Sequence, residues 1–226
     1  NKIKLNRLKE MFYIEHMDKN HKFLFHGAKS RIEGKLDIHK SRTNNDLGQG
    51  FYTGERYEQA ISFISGFEKP SVYIFDFKEE GLKGKKYNVN QEWMMTIAYY
   101  RGALEEYENH PIIKKLIEKS CDCDYIIAPI ADNRMFQIIK SFIMGEITDE
   151  QCKHCLAATN LGYQYVFKSD KAIKSLKMLE RCYISEKEKE YYKKMRNSDA
   201  KLGDDKVKLA RIKYRGKGRY IDEILK

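Results

Sequence analysis

Apolar residues along this chain fall into two kinds of run. Short continuous or alternating runs predict strands, and spacings of three and four predict helices. Ile3, Leu5, Leu8, Met11, Phe12, Ile14 and Met17 keep mostly helical intervals and predict an amphipathic N-terminal helix over 3–17. KFLFHG (22–27) is a brief apolar run ending in Gly and reads as a buried strand. Residues 30–50, rich in Gly, Asn, Ser and charge, read as an extended loop with one short strand around Leu36–Ile38. GFYTG (50–54) is brief, and ERYEQAISFI (55–64) takes up helical spacing at Tyr57, Ala60, Ile61 and Ile64. SVYIFDF (71–77), DYIIAPIAD (124–132) and YQYVFK (163–168) read as strands. Residues 91–104, 110–120 and 134–145 read as helices; Pro111 opens the second in its first turn and Gly145 stops the third. Thr148 to Gln151 resembles a capping box, and Ser169 is an N-cap for a helix over 169–180.

Strands therefore recur with helices between them, but without steady strand–helix alternation. No GxGxxG follows a strand and no GxxxxGK[ST] occurs, so doubly wound dinucleotide and P-loop folds are disfavoured and a mixed α+β body is expected. Beyond residue 185 the chain turns polar. Residues 186–226 read as a basic appendage with its own apolar patch, attached to a domain over 1–185.

Composition changes this picture in three places. Hydrophobics at 42% supply a core, while the absence of any long apolar run or secretory segment predicts a soluble cytoplasmic protein without a membrane span. The net charge of +10 is uneven: residues 186–226 hold 14 Lys/Arg against 8 Asp/Glu, a balance of +6 that leaves +4 for the rest. Such a tail suits nucleic acid or an acidic protein, and equally a solvated face that keeps the protein soluble. Lys and Arg interleaved with Tyr214 and Tyr220 resemble a phosphate-contacting, base-stacking segment. Five cysteines form no regular framework; Cys121 and Cys123, with Cys152 and Cys155, make a poor zinc set, so reduced thiols and no metal are expected.

The chemistry-bearing residues come in a fixed order. His26-Gly27 ends the first strand, Gly50-Phe51-Tyr52-Thr53 follows the loop, Asp132-Asn133-Arg134 leaves an apolar strand, and Gln164 stands in the last strand of the set. Together these resemble the His–Tyr–Glu pattern of ADP-ribosyltransferases, in a bacterial toxin-type branch of that family. The likeness rests on FLFHGA, DLGQGFYTG, YIIAPIADNRMF and GYQYVFKSDKAIKSL, over about residues 21–182. It implies a split β-sandwich gripping NAD, used as co-substrate. It further implies that His26 bonds the adenosine-side ribose, that Gly27 holds the nicotinamide amide through its backbone, and that Tyr52 stacks on the nicotinamide. Gln164 would sit near the nicotinamide ribose, and Gly50 beside the cofactor. Asp132, Asn133 and Arg134, directly after an apolar strand where polar groups commonly line a cleft, are further cofactor-binding candidates. A small neighbouring antitoxin is the partner such a toxin implies.

Gln164 is an amide where many relatives of this pattern carry a glutamate, so a carboxylate from elsewhere, Asp132 or Asp46, would supply negative charge to a cation-like transition state. Position 162 is Gly, which removes the acidic pattern associated with arginine modification. Arg101 is open to two readings, a pyrophosphate ligand or a structural ion pair. Three activities follow: transfer of ADP-ribose to nucleic acid or protein, hydrolysis of NAD, or nucleic-acid binding by a catalytically weak module.

Overall fold

The computed structural model describes residues 21–159 and 161–226. The helix expected over 3–17 lies outside the described residues. Among these described residues, seven strands form one sheet in the order β4-β5-β6-β2-β1-β3-β7. They are β1 (His21–Ala28), β2 (Phe51–Gly54), β3 (Ser71–Lys78), β4 (Gly84–Lys86), β5 (Tyr125–Pro129), β6 (Tyr163–Phe167) and β7 (Leu176–Tyr183). Among the described residues, β4 and β5 pair in parallel and every other neighbour is antiparallel. The fold is mixed α+β, as the uneven order of strands and helices predicts.

One sheet face carries an aromatic cluster of Tyr73, Phe75, Phe77, Tyr125, Tyr165 and Phe167, and Ile32, Leu36 and Ile38 of the loop after β1 pack onto it. The other face is divided. Helix α1 (Tyr57–Ile64) covers β1 and β3 with Tyr57, Ala60, Ile61 and Ile64. Helices α2 (Gln91–Tyr100), α3 (Pro111–Cys121), α4 (Asn133–Ile143) and α5 (Asp149–Ala157) build the larger core around Trp93, Met94, Ile126, Ile139, Phe142 and Val166. Local chemistry fixes where these helices start. Asn90 accepts from the Trp93 N–H, Asp132 from those of Arg134 and Met135, and Thr148 from that of Gln151.

Two expectations are corrected. The segment 169–180, read as one helix, is a short helix α6 (Asp170–Lys174) followed by β7, which pairs with β3 from Ser71↔Tyr183 to Phe77↔Leu176. The Ser169 cap is present, accepting from the Ala172 N–H; what ends the helix early is the free edge of β3, a tertiary demand that overrides local spacing. The strand expected around Leu36–Ile38 is a 3₁₀ turn, Ile38–Lys40, capped by Asp37.

The segment read as an appendage is helix α7 (Glu186–Lys213), opened by a Ser185/Glu188 capping box, then a short α8 (Ile221–Ile224). Both lie on the body. Ala200 and Val207 accept hydrogen bonds from Arg134 and Cys155, and Ile221 and Ile224 are buried in the larger core. Among the described residues no helix is long and apolar enough to cross a membrane, and no His/Cys/Asp/Glu group is arranged to hold a metal ion.

Candidate functional site

β1 and β2 meet at one register position, Phe25↔Gly54, whereas β1 pairs with β3 along its whole length. Beyond Phe25 the two strands part, and the edges facing the gap are His26–Ala28 on one side and Phe51–Thr53 on the other. The His26 ring bridges the two edges: its Nδ1 lies 2.6 Å from the Tyr52 carbonyl, and it stacks on Phe51 at 4.5 Å between centroids. A carbonyl can only accept, so Nδ1 carries the proton and Nε2 is left as the acceptor of a neutral imidazole. Burial depresses the His26 pKa, against the raising pull of the Tyr52 carbonyl.

Tyr52 is fixed at its far end. Its hydroxyl donates to the Gly48 carbonyl at 2.6 Å and accepts from the Leu47 N–H at 3.1 Å. Burial pushes its pKa far up, so the phenol is neutral. Lys168 locks the same loop by donating to the carbonyls of Leu47 and Gln49 at 2.6 and 2.7 Å. Gly48 adopts φ +76°, and a Cβ there would lie 2.6 Å from the Tyr100 ring, so both conformation and space demand glycine. The phenol packs against the larger core, while Phe51 and the imidazole belong to the aromatic face. The two rings therefore border one gap from opposite faces of the sheet.

The register Tyr52↔Val166 and Gly54↔Gln164 puts Gln164 on the same face as Tyr52. Gln164 is buried, and its Nε2 donates to Asp46 Oδ2 and the Pro129 carbonyl, both at 3.3 Å. Asp46 also pairs with Arg101 at 3.3 Å and accepts from the Ala131 N–H. Burial nonetheless outweighs these contacts and raises the Asp46 carboxyl above its ordinary value. Its side chain keeps 15% of its surface exposed. Arg101 is held in turn by Asn133 Oδ1 at 2.8 Å and by the Phe136 ring, 3.9 Å from its guanidinium carbon. The result is a largely buried carboxyl group held by an amide, a guanidinium and a main-chain N–H.

Other expected residues have structural work. Asp132 spends both carboxylate oxygens on the α4 cap and on Arg134. Arg134 reaches away to the Ala200 carbonyl and Asp204 of α7. Of the two carboxylates weighed from sequence, Asp46 is therefore the one beside Gln164. A Cβ on Gly27 would lie 2.6 Å from the Ala60 carbonyl, so this glycine lets α1 approach β1. Gly50 likewise admits the Phe167 carbonyl, which its Cβ would meet at 2.7 Å. Arg101 proves to be both an ion pair and part of the constellation. Sequence reading missed Lys168 and Phe136. Lys168 had a signal, a cation ending an otherwise apolar strand; Phe136 had none. A cavity of about 570 Å³ beyond β1, bordered by Ser30, Arg31, Ile32, Glu33 and Lys40, includes none of the residues expected from sequence.

Residues 23–178 match the family model described as a protein of unknown function, DUF3990. The match spans well over half of the chain and takes in every residue of the gap and of the Asp46 constellation, so the chain belongs to that family. No curated protein and no solved structure matches it.

Proposed function

We propose that this member of the DUF3990 family is an NAD-dependent ADP-ribosyltransferase, moving ADP-ribose to a macromolecular acceptor, nucleic acid or protein, with release of nicotinamide. The observation that carries the reading is the parting of β1 from β2 beyond Phe25↔Gly54, with His26 and Gly27 on one lip and Tyr52 on the other. In this reading the sheet is two halves, β4-β5-β6-β2 and β1-β3-β7, split where an extended dinucleotide would thread from one face to the other. The main chain of Gly27, without a register partner on β2, suits a carboxamide, which needs one donor and one acceptor.

Each side chain then has a separate task. His26 Nε2 accepts from a ribose hydroxyl on the aromatic face. The Tyr52 ring supports the flat nicotinamide on the other. Asp46 faces the ribose carbon that becomes cation-like as its bond to the nicotinamide nitrogen breaks, and Gln164 and Arg101 hold that carboxylate in place. The bond electrons leave with nicotinamide, which departs neutral; the acceptor nucleophile bonds the same carbon and gives up its proton to solvent or a nearby base.

Incubation with NAD labelled in its adenine half, in the presence of cell lysate or purified RNA and DNA, tests the reading. Label on macromolecules together with free nicotinamide is the expected result; free ADP-ribose alone would make the protein a hydrolase, and no turnover would refute the enzyme reading. Tyr52→Phe keeps the ring and Tyr52→Leu removes it, and both lose the hydroxyl anchor. Turnover should therefore survive better in the first than in the second.

A further inference from the structure

Helix α7 turns one face to the body and the opposite face to solvent. The body side is marked by the Ala200, Val207 and Arg211 carbonyls, which accept from Arg134, Cys155 and Gln151, and by Gly203, buried against Thr159. At 100° per residue, Tyr191, Met195, Leu202 and Leu209 fall on the far side, with Ile212 at its margin. All five are exposed, from 38% for Met195 to 73% for Ile212. Met195, Leu202 and Leu209 repeat every seven residues, with Tyr191, Ser198, Asp205 and Ile212 at the alternate heptad position, so the exposed apolar stripe has a helix-pairing period with two polar interruptions. One flank of this seam is a second row at the same period, Lys187, Lys194, Lys201 and Lys208, all exposed; of these, Lys208 has an acidic neighbour on the face, Asp205, at 3.9 Å.

We propose that this face docks an amphipathic helix of an acidic partner protein, its apolar stripe on Met195, Leu202 and Leu209 and its glutamates or aspartates along the lysine row. Charge selects the occupant. A second copy of α7 laid antiparallel would set the lysine row against itself; laid parallel, it would set that row against Asp199, Lys206 and Lys213. Residues 1–20 carry five Lys/Arg against three Asp/Glu and would face the row with like charge. Nucleic acid answers the lysines but leaves the exposed leucines uncovered. An acidic helix satisfies both rows, in the manner of helix-in-groove recognition.

The test uses the full chain and a synthetic four-heptad peptide with leucine at its core positions and glutamate on its flanks, read by fluorescence anisotropy. The glutamate peptide should bind, and the same peptide with lysine flanks should not. Leu202→Ser with Leu209→Ser, and separately Lys194→Glu with Lys201→Glu, should each weaken binding about tenfold or more. All four sites are exposed, so circular dichroism should stay unchanged. The proposal is overturned if the glutamate peptide fails to bind, or binds no better than its lysine counterpart. It is also overturned if sedimentation shows a dimer that the leucine variants dissolve, or if single-stranded RNA competes with the peptide for this face. None of these outcomes depends on NAD turnover.

Discussion

Replacing Asp46 by Asn separates a carboxylate that acts on substrate from one that holds the fold. A carboxylate about 5 Å from a developing positive charge, in surroundings of effective dielectric near 20, contributes about 3 kcal/mol. Arg101, 3.3 Å away, takes back part of that. A net effect of about 2–3 kcal/mol corresponds to a rate about 30- to 150-fold lower. Stability should move little and in the other direction. Burial raises the folded-state pKa of Asp46, so its stabilising contribution is complete only at acid pH and declines as pH rises from about 3.8 through the raised value. At neutral pH the charge is a cost of folding, and Asn removes it while Arg101 keeps Asn133 and Phe136. Nicotinamide release followed across pH, beside thermal melting, reads both. The wild-type rate should rise with pH as Asp46 ionises, and that acidic limb should vanish in the variant. A variant that melts normally and turns over within threefold of wild type would refute the assignment of charge to Asp46.

Three further outcomes follow from the same geometry. His26 is buried neutral with its pKa below 6.5, so the stability it contributes above that pH should be lost as pH falls toward the lowered value; His26→Asn should flatten the acid limb of urea-unfolding curves. Gly27→Ala should lower stability by about 1–3 kcal/mol, because the atom its Cβ meets at 2.6 Å is the Ala60 main-chain oxygen, which has no rotamer to escape into; an unshifted melting temperature would show that α1 is not packed as described. Lys168→Met strips the Leu47 and Gln49 carbonyls of a donor and should cost about 1–3 kcal/mol, with faster proteolysis of the 45–50 loop as its local signature.

Much of the scaffold was legible in the sequence, for physical reasons that also mark the limits. The strands over 71–77, 124–132 and 163–168 announce themselves because both faces are buried in the central sheet, and apolar runs there need no partner to be read. β7 did not, because LKMLERCY has only Leu176 and Cys182 buried; its strand character comes from the β3 edge beside it. β4 is three residues, Gly-Lys-Lys, with no apolar signal at all. His26, Tyr52 and Gln164 could be nominated because the order of their motifs resembles the ADP-ribosyltransferase pattern. The opposite facing of the two rings, and the choice of Asp46 over Asp132, depend on register and on a cap, which no local pattern encodes.

The loop origin of Asp46 is the feature that most needs a physical account, since loop residues ordinarily hold a reacting geometry less well than strand residues. Here the loop is tied as firmly as a strand. Gly48 turns the chain at φ +76° against the Tyr100 ring, Tyr52 bonds both Leu47 and Gly48, and Lys168 bonds Leu47 and Gln49. Each tie runs from the sheet or a helix into residues 47–49, directly after Asp46. Gln164, on a central strand with pairs on both sides, then aims the carboxylate from the sheet. In the proposed reading, the amide at the strand position and the carboxylate on the loop act as one unit, with rigidity and charge supplied by different residues. Gln164→Glu tests that division: a second carboxylate 3.3 Å from Asp46 would repel it and raise one of the two pKa values further. Turnover at neutral pH should fall rather than rise, with its acidic limb displaced to higher pH. A faster enzyme would show instead that position 164 itself faces the reacting ribose and that Asp46 only steadies it.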